Sequence, residues 1–229
     1  MALIAVNLQA VRNRIARAAQ AAQRHPGDIA LVAVSKTFPA ERIAEAYAAG
    51  QTAFGENQVQ EAVAKVTVLA VLPIEWHFIG PIQSNKTRLI AEHFQWVHSV
   101  DREKIAQRLN AGRPDGTPPL NVCIQVNVSG EAAKSGVAPG EEAKLADAIA
   151  RLPRLKLRGL MAIPEPTTDV TLQRRRFALL RELKDRLAAR GHALDTLSMG
   201  MSDDFEAAIM EGATMVRIGT AIFGPRQKT

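Results

Sequence analysis

Lys36 ends the run Ile29-Ala30-Leu31-Val32-Ala33-Val34-Ser35-Lys36, and Thr37-Phe38-Pro39 follow before a helical stretch opens. An apolar, β-branched run of this kind reads as a strand of a parallel sheet, buried on both faces. An amine at the C-terminal tip of such a strand sits where α/β folds carry their chemistry. A desolvated lysine amine condenses with carbonyl compounds. Far along the chain, the strand Met215–Ile218 runs into Gly219-Thr220-Ala221-Ile222-Phe223-Gly224. That segment reads as a phosphate cradle, because glycines admit an anion to backbone N–H groups and a helix start points positive charge at it. The preceding strand ends in Ser198-Met199-Gly200-Met201-Ser202, and the last two loops of a barrel are its frequent phosphate site, to which the hydroxyls of Ser198 and Thr220 can add bonds. The plainer alternatives are a lysine that clears its strand into solvent and two ordinary glycine loops. The amine and the phosphate seat taken together point to pyridoxal phosphate.

Other side chains at the same strand ends could join that chemistry. Arg217 lies between Val216 and Ile218; pointing inward, it must meet an acceptor, either a ring nitrogen or a carboxylate. Asn57 follows Phe54-Gly55-Glu56 at a strand mouth, and His77 lies within Glu75-Trp76-His77-Phe78-Ile79. Either could touch a ligand, although a lone strand histidine is as well read as a satisfied core residue. Glu56 could instead pair with a buried base. The stretch Gly80-Pro81-Ile82-Gln83-Ser84-Asn85-Lys86 is a loop that could fold over the mouth. Lys134 stands in the loop after the fifth strand, where a solvated charge is the plain reading. Metal-ligand spacing of histidines and cysteines is missing, as are a P-loop and G-x-S-x-G.

Strands and helices alternate in the order needed to gather these residues. A first helix is expected over Leu3–Arg24. Strands are expected at Ile29–Ser35, Thr52–Gly55, Glu75–Ile79, Trp96–Val100, Leu120–Val128, Leu155–Ile163, Thr196–Met199 and Met215–Ile218. Helices follow at Ala40–Ala49, Gln58–Leu69, Ser84–His93, Asp101–Asn110, from Pro139-Gly140 to Leu152, Val170–Arg190 and from Ser202 or Asp203 to Glu211. Asp101 and Ser202 suit N-caps, and Gly50, Gly191 and Gly212 suit C-caps. Eight strands, each with its helix, predict a (β/α)8 TIM barrel, one domain over residues 1–229, with the N-terminal helix as an added element covering the barrel's bottom. The rival is a doubly wound open sheet, for which the dinucleotide G-x-G-x-x-G is lacking.

The 229 residues are 47% hydrophobic, enough for a large core. A single cysteine, Cys123, excludes an internal disulfide, and neither a secretory signal nor an 18-residue apolar stretch is present. A cytoplasmic protein without a membrane span is expected. The net charge of +6 could suggest nucleic acid, but aromatic residues are only 4% of the chain, which leaves few stacking platforms. The basic residues are interleaved with acids along helices and could attract phosphorylated small molecules.

Seven blocks in order carry a resemblance that runs nearly end to end: AVSKTFPAERI around Lys36, FGENQVQE from Phe54, WHFIGPIQSNK from Trp76, KSGV from Lys134, RGLMAIP from Arg158, LSMGMSDD from Leu197 and RIGTAIFGPR from Arg217. With them the chain closely resembles the pyridoxal phosphate homeostasis protein family, single-domain relatives of the barrel domain of alanine racemase. The resemblance implies pyridoxal 5'-phosphate held as a Schiff base on Lys36. It places the phosphate near Ser198, Gly200, Gly219 and Thr220 and sets Arg217 toward the pyridine nitrogen, with Asn57, His77 and Met199 as ring neighbours.

The residues argue for a carrier over an enzyme. An arginine beside the ring nitrogen opposes its protonation and weakens the ring as an electron sink. Racemisation needs a base on each face of the substrate carbon, and the sole tyrosine, Tyr47, falls on the helix after the first strand. The expected function is intracellular cofactor homeostasis, in which the protein holds pyridoxal phosphate reversibly and supplies apo-enzymes. Amino acids or Lys134 would assist release, and a monomer is expected before a dimer. The alternative is a small amino-acid racemase or lyase.

Overall fold

The computed structural model describes residues 3–131 and 135–225; Lys134 lies outside them. Eight parallel strands close on themselves in sequence order. They are β1 (Ala30–Val34), β2 (Ala53–Glu56), β3 (Glu75–Phe78), β4 (Trp96–Val100), β5 (Leu120–Gln125), β6 (Leu155–Met161), β7 (Thr196–Ser198) and β8 (Met215–Ile218). The helices are α1 (Leu3–Ala21), α2 (Ala40–Ala48), α3 (Val59–Val68), α4 (Thr87–His93), α5 (Glu103–Gly112), α6 (Glu142–Ile149), α7 (Val170–Ala189), α8 (Phe205–Met210) and α9 (Thr220–Phe223). The (β/α)8 barrel expected from the alternation is the fold. Its closing seam is β1 against β8, with Val32 opposite Arg217 and Ala33 opposite Ile218.

Two cores result from strand alternation. Outward side chains meet the helices in a continuous apolar shell that includes Ile43, Phe54, Phe78, Phe94, Phe177 and Phe205. Inward residues Val32, Trp96, Cys123, Met161 and Met215 form a separate cluster inside the barrel. Arg158 caps that cluster with its guanidinium 4.6 Å from the Trp96 ring centre, held there by Asp195 and Asn121.

The N-terminal helix does not cover the bottom. Its apolar stripe Ile4, Leu8, Val11, Ile15, Ala18 and Ala19 is buried against α8, α9 and α2. Among the described residues β8 is followed by the four-residue α9 alone, too short to shield its side of the sheet, and α1 fills that place in the outer ring. Asn7 donates to the Ile222 carbonyl at 2.9 Å, and Arg12 donates to the Ala49 and Gly50 carbonyls at 3.1 and 2.9 Å.

Some boundaries moved for local reasons. Asp101 binds the Arg102 guanidinium and is not a cap, so α5 starts at Glu103. The helix after β7 starts late because Asp204 turns its carboxylate back to the Met201 N–H at 2.6 Å. β5 ends at Gln125, and Val126 keeps only an isolated bridge to Val137. α7 is capped as its start required, with Asp169 accepting from Thr171 and Leu172.

Gly159 on β6 faces Thr196 across the β6–β7 ladder. A Cβ there would lie 1.8 Å from the Thr196 carbonyl oxygen, a clash with backbone that no rotamer relieves. Gly159→Ala is expected to lower stability by about 3 kcal/mol or more, and the melting temperature followed by circular dichroism by roughly 6 °C or more.

Candidate functional site

Val32 lies inside the barrel, and two-residue alternation carries that inward direction to Val34, the last residue of β1, two residues before Lys36. Lys36 is half-buried at the C-terminal mouth. The neighbouring strand delivers the glycine segment to the same place. A Cβ on Gly219 would stand 3.1 Å from the Val34 carbonyl oxygen and 3.3 Å from the Val34 Cβ, so the start of α9 packs on the residue two before Lys36. Phe38 then stacks on Phe223, ring centres 5.0 Å apart, and ties the loop after β1 to α9. The first N–H groups of α9, at Thr220 and Ala221, have no acceptor within the helix.

Gly200 belongs to the same rim. Its φ of +96° and the 2.7 Å that would separate a Cβ from Ala208 admit only glycine. Its carbonyl accepts from the Arg217 backbone N–H at 2.9 Å, which locks the loop after β7 to β8. The Arg217 side chain, 2% exposed, donates to the Ser198 Oγ at 2.6 Å and the Ala162 carbonyl at 2.8 Å. Burial brings its guanidinium down to about 10, against the pull of Asp204 and Cys123, so it remains a cation at neutral pH.

The backbone on both sides of Lys36 is clamped. The Lys65 ammonium, on α3, donates to the Ser35 carbonyl at 3.0 Å and to Glu56 Oε1 at 2.8 Å. Glu56 also accepts from the Ser35 hydroxyl at 2.6 Å. Glu61, one helical turn before Lys65 and paired with it, accepts from the Thr37 N–H at 2.7 Å. Thr37 has φ +68°, a left-handed conformation that a threonine holds only when its surroundings impose it. Glu56 thus pairs with a buried base, as its position suggested, and that base is Lys65.

Not every expected residue gathers at the mouth. The Ser198 Oγ lies 2.7 Å from His98 Nδ1 and accepts from the Arg217 guanidinium at 2.6 Å, both contacts inside the barrel. Met199 is fully buried in the outer shell, because it follows inward-facing Ser198. His77 is fully buried with both ring nitrogens engaged, to His98 and Glu75, and lies flat on Trp96 at 5.5 Å. Asn57 follows the last residue of β2, and its Oδ1 is a buried acceptor to which no described residue donates. The Gly80–Lys86 segment is no free flap: Ser99 holds the Gly80 carbonyl, Arg102 holds the Ile82 carbonyl, and Ile82 is buried. Sequence reasoning missed Lys65, Glu61 and His98. The first two form an i,i+4 pair, and His98 sits two residues after Trp96 in a strand otherwise apolar but for Ser99.

Known proteins match this chain over nearly its whole length. The family model for the alanine racemase N-terminal domain covers residues 6–227. The pyridoxal phosphate homeostasis protein of Pseudomonas aeruginosa is 65% identical over 226 residues, 99% of this chain and 97% of that one. The Escherichia coli protein of that name is 56% identical over 229 residues, 97% of each chain. This chain belongs to the pyridoxal phosphate homeostasis protein family. Among solved structures, PipY of Synechococcus elongatus with PLP bound superposes with a TM-score of 0.84 at 37% identity, covering 96% of this chain and all of that one (100%). No helix among the described residues is long and apolar enough to cross a membrane.

The clamp is testable through stability. Removing Lys65 leaves the Glu56 carboxylate buried without its cation, so Lys65→Met is expected to cost about 3–5 kcal/mol at pH 7.5. Burial already holds the Glu56 carboxyl above the usual carboxylate range. The folded protein therefore takes up its proton more readily than the unfolded chain, and the group favours folding more as pH falls. The deficit of Lys65→Met against the parent is expected to shrink between pH 7.5 and 5, and the double variant Lys65→Met/Glu56→Gln to recover most of it, measured by urea unfolding.

Proposed function

We propose that this protein binds pyridoxal phosphate with Lys36 as the covalent anchor and serves as a carrier that buffers and delivers the cofactor inside the cytoplasm. The observation that carries the reading is the adjacency, on neighbouring strands, of the Lys36 tip and the Gly219–Thr220 segment packed on Val34. The PLP-bound PipY and the name shared by the close relatives support it.

The residues present fit the group. The Lys36 amine would join the aldehyde as a Schiff base with loss of water. The open N–H groups of Thr220 and Ala221, with Gly200 and Gly219 leaving room, suit a phosphate. Asn57 Oδ1, a buried acceptor without a donor, suits a hydroxyl on the ring. Arg217, whose guanidinium is anchored on Ser198 and Ala162, would turn a remaining N–H to the ring nitrogen. Bound pyridoxal phosphate supplies an electron sink when its ring is protonated; a cationic Arg217 beside that nitrogen works against the protonation.

That last point favours carrying over turnover. So does Tyr47, which packs against the outer apolar shell from α2 and offers no second base at the mouth. The partners on this reading are pyridoxal phosphate, amino acids that compete for its aldehyde, and apo-enzymes met transiently.

Borohydride treatment of cofactor-loaded protein is expected to fix the cofactor's mass on the peptide holding Lys36, and Lys36→Ala to lose the absorbance of the linked chromophore. Loaded protein should restore an apo-enzyme faster than its spontaneous loss of cofactor to buffer allows. Steady turnover of an amino acid that disappears in Lys36→Ala would replace the carrier with the racemase or lyase.

A further inference from the structure

A line of polar side chains crosses the barrel interior from its floor to its mouth. It starts at Glu75, the first residue of β3, whose side chain is half-exposed. His77 Nε2 lies 2.8 Å from Glu75 Oε1, His77 Nδ1 lies 2.9 Å from His98 Nε2, His98 Nδ1 lies 2.7 Å from Ser198 Oγ, and Ser198 Oγ lies 2.6 Å from Arg217 Nη1. Both histidines and Ser198 are fully buried.

The two ends dictate where every proton sits. An ionised carboxylate only accepts and a guanidinium only donates. Glu75 therefore takes the proton of His77 Nε2. His77 Nδ1 is left as an acceptor and takes the proton of His98 Nε2. His98 Nδ1 in turn accepts from the Ser198 hydroxyl, which accepts from Arg217. Each link has one donor and one acceptor, and all point from mouth to floor. The opposite orientation would set a bare His77 nitrogen against the carboxylate. Full burial holds both histidines below the ordinary imidazole range, His98 furthest, in keeping with neutral rings. Hydrogen bonding to His77 holds Glu75 below the usual carboxylate range, with Arg158 adding to it. Asp204 and Cys123 also face Arg217. The Cys123 thiol is pushed up to about 12 by burial and is neutral.

We propose that Glu75, His77, His98 and Ser198 form a one-directional hydrogen-bond chain that fixes Arg217 in position and charge, so that a carboxylate at the barrel floor sets the environment of the cofactor's ring nitrogen at the mouth. The inference rests on pyridoxal phosphate occupying the site. Glu75, His77, His98 and Ser198 are positioning residues and act only through Arg217. Such a chain is cooperative, because each polarised link strengthens the next.

The chain can be tested without the cofactor. Nitrogen-15 NMR of the unloaded protein at pH 7 is expected to find His77 and His98 neutral with the proton on Nε2; a proton on Nδ1 of either, or a cationic ring, would overturn the proposal. Glu75→Gln keeps the shape but can present either an oxygen or an N–H, so it is expected to populate the second tautomer at both rings. The same variant should raise the Kd for pyridoxal phosphate by about 3- to 10-fold, the worth of one positioning hydrogen bond, and shift the pH dependence of the bound absorbance. Tautomers, Kd and absorbance that all match the parent protein would sink the idea. If the parent binds no pyridoxal phosphate, the functional reading fails, while the tautomers still judge the chain.

Discussion

The pairing of β1 with β8 is the constraint on which the site depends. A parallel sheet open at that seam would leave Lys36 on one edge and Gly219 on the other. Closure sets Val32 against Arg217 and Ala33 against Ile218, so the two C-terminal tips finish at the same height. Lys36 and Gly219, 183 residues apart in the chain by their numbers (219 − 36), become neighbours without a long loop. Both then rest on strand ends held by ladder hydrogen bonds, and sites on regular elements are more precise than sites on loops.

Buried charge is the second organising feature. Lys65 and Arg217 are cations that lie 6% and 2% exposed. Lys65 is paired with Glu56 and Glu61, and a buried ion pair only roughly offsets the desolvation of its members, while Arg217 donates to a hydroxyl and a backbone carbonyl. Each fixes a backbone or a side chain at the mouth. Lys65 holds the Ser35 carbonyl, and with Glu61 it maintains the left-handed Thr37. Arg217 anchors to Ala162 and Ser198 while its own N–H is bound by Gly200.

The fold was legible because every strand is an apolar run closed by turn residues, and because glycines 50, 191 and 212 mark helix ends with positive φ. Lys36, Gly200, Gly219 and Arg217 were legible because unusual residue types stand at strand tips. What escaped was which way side chains reach across the barrel. Ser198 reads equally well as a loop hydroxyl or as an inward link, and only the distance to His98 decides. His77 and His98 meet because β3 and β4 pair with His77 opposite Trp96, a register no single strand reveals. The N-terminal helix was misplaced because α9 is too short to complete the outer ring, a packing deficit that becomes visible only once all eight strands are counted round.

The placement of α1 against α8 and α9 has a consequence for how the molecule comes into being. Translation releases residues 3–21, and then α2, well before α8 and α9, the two other helices against which that apolar stripe packs. At ordinary elongation rates of about 5–20 residues per second, that apolar stripe waits roughly ten seconds or more for α8 and α9. Asn7 then grips the Ile222 carbonyl in the four-residue segment that ends the barrel. The burial of α1 is consequently completed only when the strand and short helix that close the barrel have emerged, and a ribosome-bound fragment lacking β8 has neither the closed sheet nor that cover.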